Sequence, residues 1–339
     1  MKILAIESSC DETAAALLEV KKGVRTLHTN VVASQIAIHA QYGGVVPEVA
    51  ARNHVMNVVP VIAEAIGKTK PDCIAVTLGP GLITSLLVGV EAARCLSYLW
   101  DVPLVSVNHI EGHIYSNWLE GDELPFPLMV LIVSGGHTEL ILLKKHGSHK
   151  VVGRTKDDAA GEAFDKVAKI LDLGYPGGPI VSKRAANGDP LRFNLPRPLI
   201  ANKDFDFSFS GLKTAALYTL RDAKKEYADI TSDDDFVNDF CASFQQAAID
   251  VLVSKTLAAA KHYKVKGVLF GGGVMANKEL RKQLEAALKK KLPDVEYRFP
   301  SPGLCTDNAA MIASIGYVKA SQKKFVDWKK IDADSNWEL

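Results

Sequence analysis

Two segments of this chain repeat one strand-turn-strand pattern, and that repetition limits the fold more than any other feature. Residues 3–18 and 128–143 each contain an apolar strand, a turn of small polar residues and a second apolar strand. Ser8 and Ser134 occupy the same place in the two turns, and a threonine begins each returning strand. An internal duplication leaves such a correspondence. The sequence therefore predicts two lobes of similar design.

A second pair of segments, residues 73–81 and 267–277, supports the duplication. Each runs from a buried apolar strand into a glycine-rich turn and then a helix. Glycine lets the backbone approach a ligand closely, and amides in such turns and at helix N-termini attract phosphate. One such turn alone would indicate only a tight strand-to-helix connection. Four small-residue turns in duplicated positions favour a nucleotide-binding cleft.

Apolar residues at helical spacing predict the helices between these segments. They lie at residues 47–66, 83–100, 160–171, 210–227, 235–262 and 309–321, and a Pro/Gly-rich segment at 174–198 interrupts them. The predicted class is α/β, with the two-lobed duplicated fold shared by actin, the sugar kinases and the Hsp70 chaperones. A fold of this kind does not by itself fix a reaction.

The same patterns predict where the lobes begin and end. Residues 1–108 form the first lobe, which a helix within residues 305–322 closes. The second lobe spans residues 109–304 and carries a helical insertion at about residues 155–262. Residues 323–339 are predicted to be a polar C-terminal tail that is partly disordered.

The bulk composition excludes several classes of function. Lys and Arg number 40 against 39 Asp and Glu, so the formal net charge of +1 gives no global attraction to nucleic acid or to a membrane. Five scattered cysteines without a Cys-x-x-Cys pair argue against a disulfide framework or a zinc ribbon. The sequence shows neither a signal peptide nor an apolar run of about 18 residues. We expect a cytoplasmic protein that does not interact with a membrane.

His109 and His113 are four residues apart, which on a helix places both imidazoles on one face. An isolated pair of this kind is more often a surface feature. Here Asp307, in the segment 305–309, offers a third ligand. Two neutral imidazoles and one carboxylate leave coordination positions open for a substrate. The three residues are therefore predicted to hold a catalytic rather than a structural metal.

Ten motifs occur in order along the chain and indicate a narrower relationship. They are Glu7-Ser-Ser-Cys-Asp-Glu-Thr13, Gly43-Gly-Val-Val-Pro-Glu48, Gly79-Pro-Gly-Leu82, Asn108-His-Ile-Glu-Gly-His113, Val133-Ser-Gly-Gly-His-Thr138, Gly161-Glu-Ala-Phe-Asp-Lys166, Tyr175-Pro-Gly-Gly-Pro179, Phe207-Ser-Phe-Ser-Gly-Leu-Lys213, Gly271-Gly-Gly-Val-Met-Ala-Asn277 and Thr306-Asp-Asn308. With them the chain resembles, over about residues 1–320, the TsaD family of tRNA N6-adenosine threonylcarbamoyltransferases, formerly described as O-sialoglycoprotein endopeptidases. The Phe-Ser-Gly-Leu-Lys form and the short N-terminus look like the bacterial branch.

The resemblance implies an acyl transfer to tRNA. The threonylcarbamoyl group would pass from threonylcarbamoyl-adenylate to N6 of adenosine 37, beside the anticodon of tRNAs that read codons beginning with A. AMP leaves, and the product is t6A. The family's members act with partners, which in bacteria are a smaller paralogue of the same fold and a P-loop ATPase.

The family's motifs also imply the roles of individual residues. His109, His113 and Asp307 would bind one divalent metal, Fe²⁺ in most members and Zn²⁺ in others. The adenylate, or ATP or ADP in the same cleft, would be held by Ile132, Val133, Ser134, Gly135, Gly136, Asp165, Gly178 and Asn277. No residue is assigned as a covalent nucleophile, because the adenylate carries its own leaving group. One departure is Ser182, where many members carry an acidic residue that helps to hold the ribose.

Three other functions compete with the transferase. A metalloprotease is disfavoured, because Glu111 lies two residues from His109, about 200° around a helix, and so faces away from the metal. An ATPase or small-molecule kinase of the same fold would use Mg²⁺, which prefers oxygen ligands to imidazole. A noncatalytic scaffold would have no need of the metal triad and the glycine turns.

Overall fold

The computed structural model describes residues 1–226 and 229–339, which form two compact units. The first unit comprises Met1–Glu123 and Pro300–Leu339, and the second unit comprises Leu124–Phe299. The lobe boundary predicted after residue 108 differs from this division. Residues 109–123 belong to the first unit because the helix that begins at His109 packs on the helix at 309–321.

The first unit contains a five-stranded mixed sheet in the order β3-β2-β1-β4-β5. Its elements before residue 124 are β1 (Lys2–Glu7), β2 (Glu12–Lys21), β3 (Val24–Ser34), α1 (Ile36–His39), α2 (Pro47–Ile66), β4 (Cys73–Gly79), α3 (Ile83–Trp100), β5 (Leu104–Asn108) and α4 (His109–Tyr115), with 3-10 turns at Ala40–Tyr42 and Ser116–Trp118. β1, β2 and β3 pair in antiparallel fashion, whereas β1, β4 and β5 are parallel.

The second unit repeats this sheet. Its elements are β6 (Leu128–Val133), β7 (Thr138–Lys145), β8 (Ser148–Arg154), α5 (Ala160–Ile170), α6 (Gly177–Ala185), α7 (Ser210–Glu226), α8 (Asp234–His262), β9 (Gly267–Gly271), α9 (Lys278–Lys291) and β10 (Glu296–Arg298), with 3-10 turns at Ile230–Ser232 and Gly273–Ala276. The order β8-β7-β6-β9-β10 has the same antiparallel and parallel pairings as the first sheet. The predicted duplication is confirmed.

The chain returns to the first unit through α10 (Pro302–Cys305) and α11 (Ala309–Ser321). α11 is almost wholly buried, and it packs against β1, β2, β4 and β5. The tail predicted to be partly disordered packs on this unit instead. The amide of Val326 donates to the Leu104 carbonyl at 2.9 Å, and that of Asp334 donates to Leu78 at 2.8 Å.

Most predicted helices are confirmed within a residue or two, whereas α6 and the four-residue helices α1 and α10 were not predicted. The end predicted for α7 at Tyr227 lies outside the described residues. α6 lies inside the Pro/Gly-rich segment that was predicted to separate helices. Its sequence begins Gly177-Gly-Pro179, and proline is tolerated there because the amides of a first helical turn have no partner within the helix. Within residues 1–226 and 229–339, no helix is both long and apolar enough to cross a lipid bilayer.

Candidate metal and nucleotide sites

The first candidate site lies where three parallel strands of the first unit end. In their register, Ile6 lies opposite Val76, and Thr77 lies opposite Val107. The residues that follow at each strand end therefore meet at one edge of the sheet. α4 begins directly after β5, and the Asn108 side chain caps it by accepting the Ile110 amide proton at 2.8 Å.

The predicted metal ligands come together at this edge. Asp307, in the loop between α10 and α11, places Oδ1 at 3.4 Å from Nε2 of His109 and at 3.2 Å from Nε2 of His113. One ligand atom of each residue lies within 4.8 Å of those of the other two. The predicted helical spacing of the histidines is confirmed, with ring centroids 4.7 Å apart.

His109 lies between two carboxylates. Its Nε2 faces Asp307, while its Nδ1 lies 3.1 Å from Oε2 of Glu7. Burial lowers the pKa of His109, but the two carboxylates outweigh burial and raise that pKa well above its usual value. Burial raises the pKa of Glu7 and of Asp307, but the charge of His109 and the hydrogen bonds to each carboxylate together lower both pKa values below their usual range. A proton and a divalent cation could not share Nε2, so cation binding there would release a proton.

These residues fit a divalent metal. His113 is fully buried, and its Nδ1 has no hydrogen-bond partner within residues 1–226 and 229–339. Its Nε2 faces Asp307 in a geometry that makes no hydrogen bond. A buried imidazole left in this way is costly, and a cation shared with His109 and Asp307 would satisfy Nε2. The donor set of two nitrogens and one oxygen suits Fe²⁺ or Zn²⁺ better than Mg²⁺.

The groups around the cluster do not supply a nucleophile. Burial raises the pKa of the Cys10 thiol, which keeps it protonated. Burial and the charges of Asp307 and Asp11 raise the pKa of Glu12 to about 10. Glu111, which a metalloprotease would use as its general base, is buried and forms an ion pair with Lys319 at 2.5 Å.

Sequence reasoning missed Glu7 as a neighbour of the cluster. The available signal was a single carboxylate at the carboxyl end of an otherwise apolar strand, Lys2-Ile-Leu-Ala-Ile-Glu7. Nothing in the sequence alone indicated that its partner would be His109.

The second candidate site lies wholly in the second unit, where the eight predicted adenylate residues lie on β6 and the turn after it, on α5 and α6, and at the cap of α9. Ile132 and Val133 are fully buried, so they support the turn that follows and present no surface of their own. The Ser134 amide donates to the His137 carbonyl at 2.8 Å, and Ser134 Oγ accepts the His137 amide proton at 3.1 Å. Ser134 therefore closes the turn itself, and the amides available to an anion there are those of Gly135 and Gly136.

Several glycines of this unit border open space. A Cβ built on Gly135, Gly136, Gly178 or Gly273 would meet no atom within 4 Å in the described part of the chain, and none of the four has a left-handed φ. Neither conformation nor packing requires glycine at these positions. Gly161 differs, since its Cβ would lie 2.5 Å from the Ser134 carbonyl oxygen.

The remaining predicted residues connect these turns. Asp165 on α5 accepts the Gly177 amide proton at 2.8 Å, which places it next to Gly178 at the start of α6. Asn277 caps α9 by accepting the Leu280 amide proton at 3.0 Å, and its Nδ2 donates to Gln245 at 2.7 Å. Parallel pairing of β6 with β9 brings Ile132 opposite Gly271, so the two glycine-rich turns adjoin.

A family model described as TsaD, tRNA N6-adenosine threonylcarbamoyltransferase, matches residues 26–314. The chain belongs to this family. Curated members of the TsaD family agree over nearly the whole chain. A protein of that name from Geobacillus kaustophilus is 51% identical over 330 residues, which cover 96% of this chain and 93% of the relative. Another, from Dehalococcoides mccartyi, is 52% identical over 324 residues, 94% of each chain.

A solved structure supports the fold class predicted for this TsaD family member. The crystal structure of full-length HypF in the phosphate- and nucleotide-bound form superimposes with a TM-score of 0.60 at 14% identity. The match covers 94% of this chain and 46% of the HypF chain, so this chain spans about half of that protein. At this identity the likeness concerns the fold alone, and the predicted duplicated α/β fold is confirmed.

Proposed function

We propose that this chain transfers the threonylcarbamoyl group of threonylcarbamoyl-adenylate to N6 of adenosine 37 in tRNAs that read codons beginning with A, releasing AMP. The observation that carries the proposal is the identity of about half of all residues, over nearly full length, to curated threonylcarbamoyltransferases. The cluster of buried His109 and His113 with half-buried Asp307 supports it, because a scaffold would not need these costly groups.

The first unit would hold the threonylcarbamoyl end of the substrate. His109, His113 and Asp307 would hold one divalent cation, Fe²⁺ in our proposal, with Zn²⁺ as the alternative. Such a cation supplies positive charge that anchors the threonine carboxylate or polarises the carbamoyl oxygen. Asn108 fixes the start of the ligand helix, so that both imidazoles face Asp307.

The second unit would hold the adenylate. Gly135 and Gly136 offer amides toward the phosphate, and the open space at Gly178 and Gly273 leaves room for the nucleoside. Asp165 and Asn277 would contact the ribose and base. ATP or ADP would occupy the same place, since the groups that recognise AMP are common to all three.

The reaction requires no covalent intermediate with the protein. N6 attacks the carbamoyl carbon, a C–N bond forms, and the C–O bond to phosphate breaks with its electron pair leaving on AMP. The proton lost from N6 can pass to the departing phosphate. Orientation of the reactants, charge stabilisation and exclusion of water account for catalysis of such a step.

The test is transfer of labelled threonylcarbamoyl from its adenylate to tRNA. It compares a tRNA with A at position 37 with the same tRNA carrying G, and wild type with His113→Ala. We expect metal-dependent label only on the A37 tRNA and only with wild type. Absence of transfer by metal-loaded wild type with its partners present, while nucleotide still binds, would instead favour the ATPase or the scaffold.

Partners complete the proposal. We assign a smaller paralogue of the same fold and a P-loop ATPase as the proteins that act with this chain, in the cytoplasm. An exposed apolar face supports a protein partner, since Val55 and Val59 of α2 are 61% and 69% exposed and line a groove with Leu87 of α3. Contiguous apolar surface of this kind marks interaction sites. We assign the smaller paralogue to this face.

A charge on that face tests the assignment. Val59→Asp should abolish co-elution with the paralogue without changing metal content, because Val59 lines the groove and its side chain is exposed rather than packed in the core. Lys68→Asp, at an exposed position beyond the end of α2, is the control. Co-elution that survives Val59→Asp would place the paralogue elsewhere.

A further inference from the structure

Glu7 is a buried carboxylate next to the candidate metal site for which the function proposed above gives no role. It ends β1 and has no exposed surface. Its Oε1 accepts the Ser9 amide proton at 2.6 Å, and its Oε2 accepts the Thr77 hydroxyl proton at 2.7 Å. Oε2 also lies 3.1 Å from Nδ1 of His109.

A buried carboxylate in this position needs partners that compensate for its lost hydration. Taking a carboxylate out of water is unfavourable, and only well-placed partners offset the loss. Within the described chain, His109 is the only basic side chain in an ion pair with Glu7. Ser9 and Thr77 hold the carboxylate in place, and Ser9 Oγ adds a second contact to Nδ1 at 3.1 Å. Glu7 is therefore fixed from one side and directed at His109 from the other.

Glu7 is not placed to bind the cation itself. Nδ1 and Nε2 lie on different edges of the imidazole ring, and the Nε2 edge of His109 faces Asp307 at 3.4 Å. Glu7 meets the Nδ1 edge, and it does not belong to the group of close ligand atoms formed by His109, His113 and Asp307.

We propose that Glu7 is a positioning residue of the metal site, whose Oε2 accepts the Nδ1 proton of His109 and so orients the ring with Nε2 as the nitrogen that would bind the cation. An imidazole has one proton to place when neutral, and the hydrogen bond at one nitrogen decides which nitrogen is left to bind metal. The proposal rests on the metal site proposed above and adds the group that orders it.

The two histidines are therefore unequal. His109 is oriented by Glu7, whereas Nδ1 of His113 has no hydrogen-bond partner in the described residues and its ring is held by burial alone. A change at Glu7 should alter one ligand and leave the other in place. It should weaken the site without abolishing it, unlike the loss of His113.

Glu7→Gln is the sharpest variant because it keeps the size of the side chain. Glu7 accepts from three donors, namely the Ser9 amide, the Thr77 hydroxyl and His109. A Gln side chain has one oxygen and one NH₂ group. The NH₂ group, a hydrogen-bond donor, must therefore face either the Ser9 amide or the Thr77 and His109 side, where Glu7 offers an acceptor. If the NH₂ faces His109, it forces the imidazole proton onto Nε2, where the cation would bind.

The experiment measures Co²⁺ affinity by chelator competition, the visible absorption of the Co²⁺ protein, and the thermal unfolding of the metal-free protein. Glu111→Gln is the matched control, since Glu111 is a buried carboxylate on the ligand helix that pairs with Lys319. Thr77→Val removes one donor to Oε2 at a buried position without touching Glu7 itself.

We expect Glu7→Gln to lose about 10- to 100-fold in Co²⁺ affinity and to shift the absorption bands. Thr77→Val should show a smaller loss in the same direction, and Glu111→Gln should match wild type. Wild-type affinity and spectrum in folded Glu7→Gln would overturn the proposal, as would equal losses in Glu7→Gln and Glu111→Gln. If Glu7→Gln does not fold, Thr77→Val decides: a weakened, shifted site supports the proposal, and an unchanged one refutes it.

The outcomes separate this proposal from the metal site on which it rests. Failure of the wild type to bind Co²⁺ would overturn both. Binding by the wild type that is lost in His113→Ala but unchanged in Glu7→Gln would leave the metal site standing and remove only the role of Glu7.

Discussion

In the first unit, the candidate metal site is a cluster of side chains in mutual contact, the buried Glu7, His109 and His113 and the half-buried Asp307. In the second unit, the candidate nucleotide site consists mainly of backbone and of space, at Gly135, Gly136 and Gly178. The same duplicated sheet supports both. One candidate site therefore depends on side chains in contact, and the other depends on the open space that glycines leave.

This contrast leads to opposite sensitivities. Removal of atoms should damage the first site, because in our proposal each side chain binds the cation or orients a side chain that does. Addition of atoms should damage the second, because its glycines leave room that packing does not require. Each variant below tests one side of the comparison.

The largest effect is expected from His113→Ala. It removes one of three ligands, which should cost several kcal/mol, on the order of 1,000-fold in metal affinity. Metal content after dialysis and calorimetric titration with Zn²⁺ measure the loss. The fold should persist, because the imidazole makes no hydrogen bond within the described chain that its removal would break. Wild-type metal content in the variant would show that this cluster does not bind the metal.

Gly136→Val tests the open site from the other direction. Its Cβ meets nothing within 4 Å, so the thermal midpoint should stay near that of wild type while AMP affinity falls at least about tenfold, 1.4 kcal/mol. Gly161→Ala is the opposite case, since its Cβ meets the Ser134 carbonyl and should cost about 1–3 kcal/mol of stability. Unchanged AMP binding by Gly136→Val would mean that the space at this turn is not the nucleotide site.

The second unit also contains a network of side-chain hydrogen bonds, and acid titration tests whether that network responds to loss of charge as a side-chain site should. The Asp157 carboxylate accepts hydrogen bonds from Ser208 Oγ, the Phe209 amide and Ser210. Burial raises the pKa of Asp157, but these hydrogen bonds lower it below 3.8. Its stabilising effect is thus complete above about pH 3.8 and is lost as pH falls through the lower, folded-state pKa. Asp157→Asn should flatten the fall in urea midpoint below pH 4; an unchanged slope would contradict this.

The smallest effect is expected at Asn277, where the open site does depend on a side chain. Asn277→Ser keeps an acceptor for the helix cap, so stability should change by no more than about 0.5 kcal/mol. The variant loses the Nδ2 donor that now meets Gln245. A several-fold loss of AMP affinity with an unchanged melting point would assign Nδ2 to binding. Unchanged affinity would reduce Asn277 to a cap.

The sequence predicted those parts of the site that depend on local spacing. The histidine pair follows from four residues of helix, and the duplicated turns follow from two repeated strand patterns. Asp307 was found because its motif and ligand chemistry matched the pair, although nearly 200 residues of chain intervene. In each case the residues themselves carry the signal.

The rest depended on contacts between distant segments. No spacing rule connects Glu7 with His109, because strand order in a parallel sheet decides which strand ends meet. The same holds for α4, which belongs to the first unit because α11 covers it. α6 was missed because its first turn is Gly-Gly-Pro, a composition typical of loops that the start of a helix also accepts.

The burial of α11 against β1, β2, β4 and β5 has a consequence for synthesis. Those strands lie within the first 108 residues and are synthesised early, whereas the helix that covers them begins at residue 309 and is synthesised late. The whole of Leu124–Phe299 is made in the interval. Domains fold as units during synthesis once their residues are available. The unit encoded in the middle of the chain can therefore fold first, whereas the first unit lacks Asp307 and the helix that covers its sheet until synthesis is nearly complete.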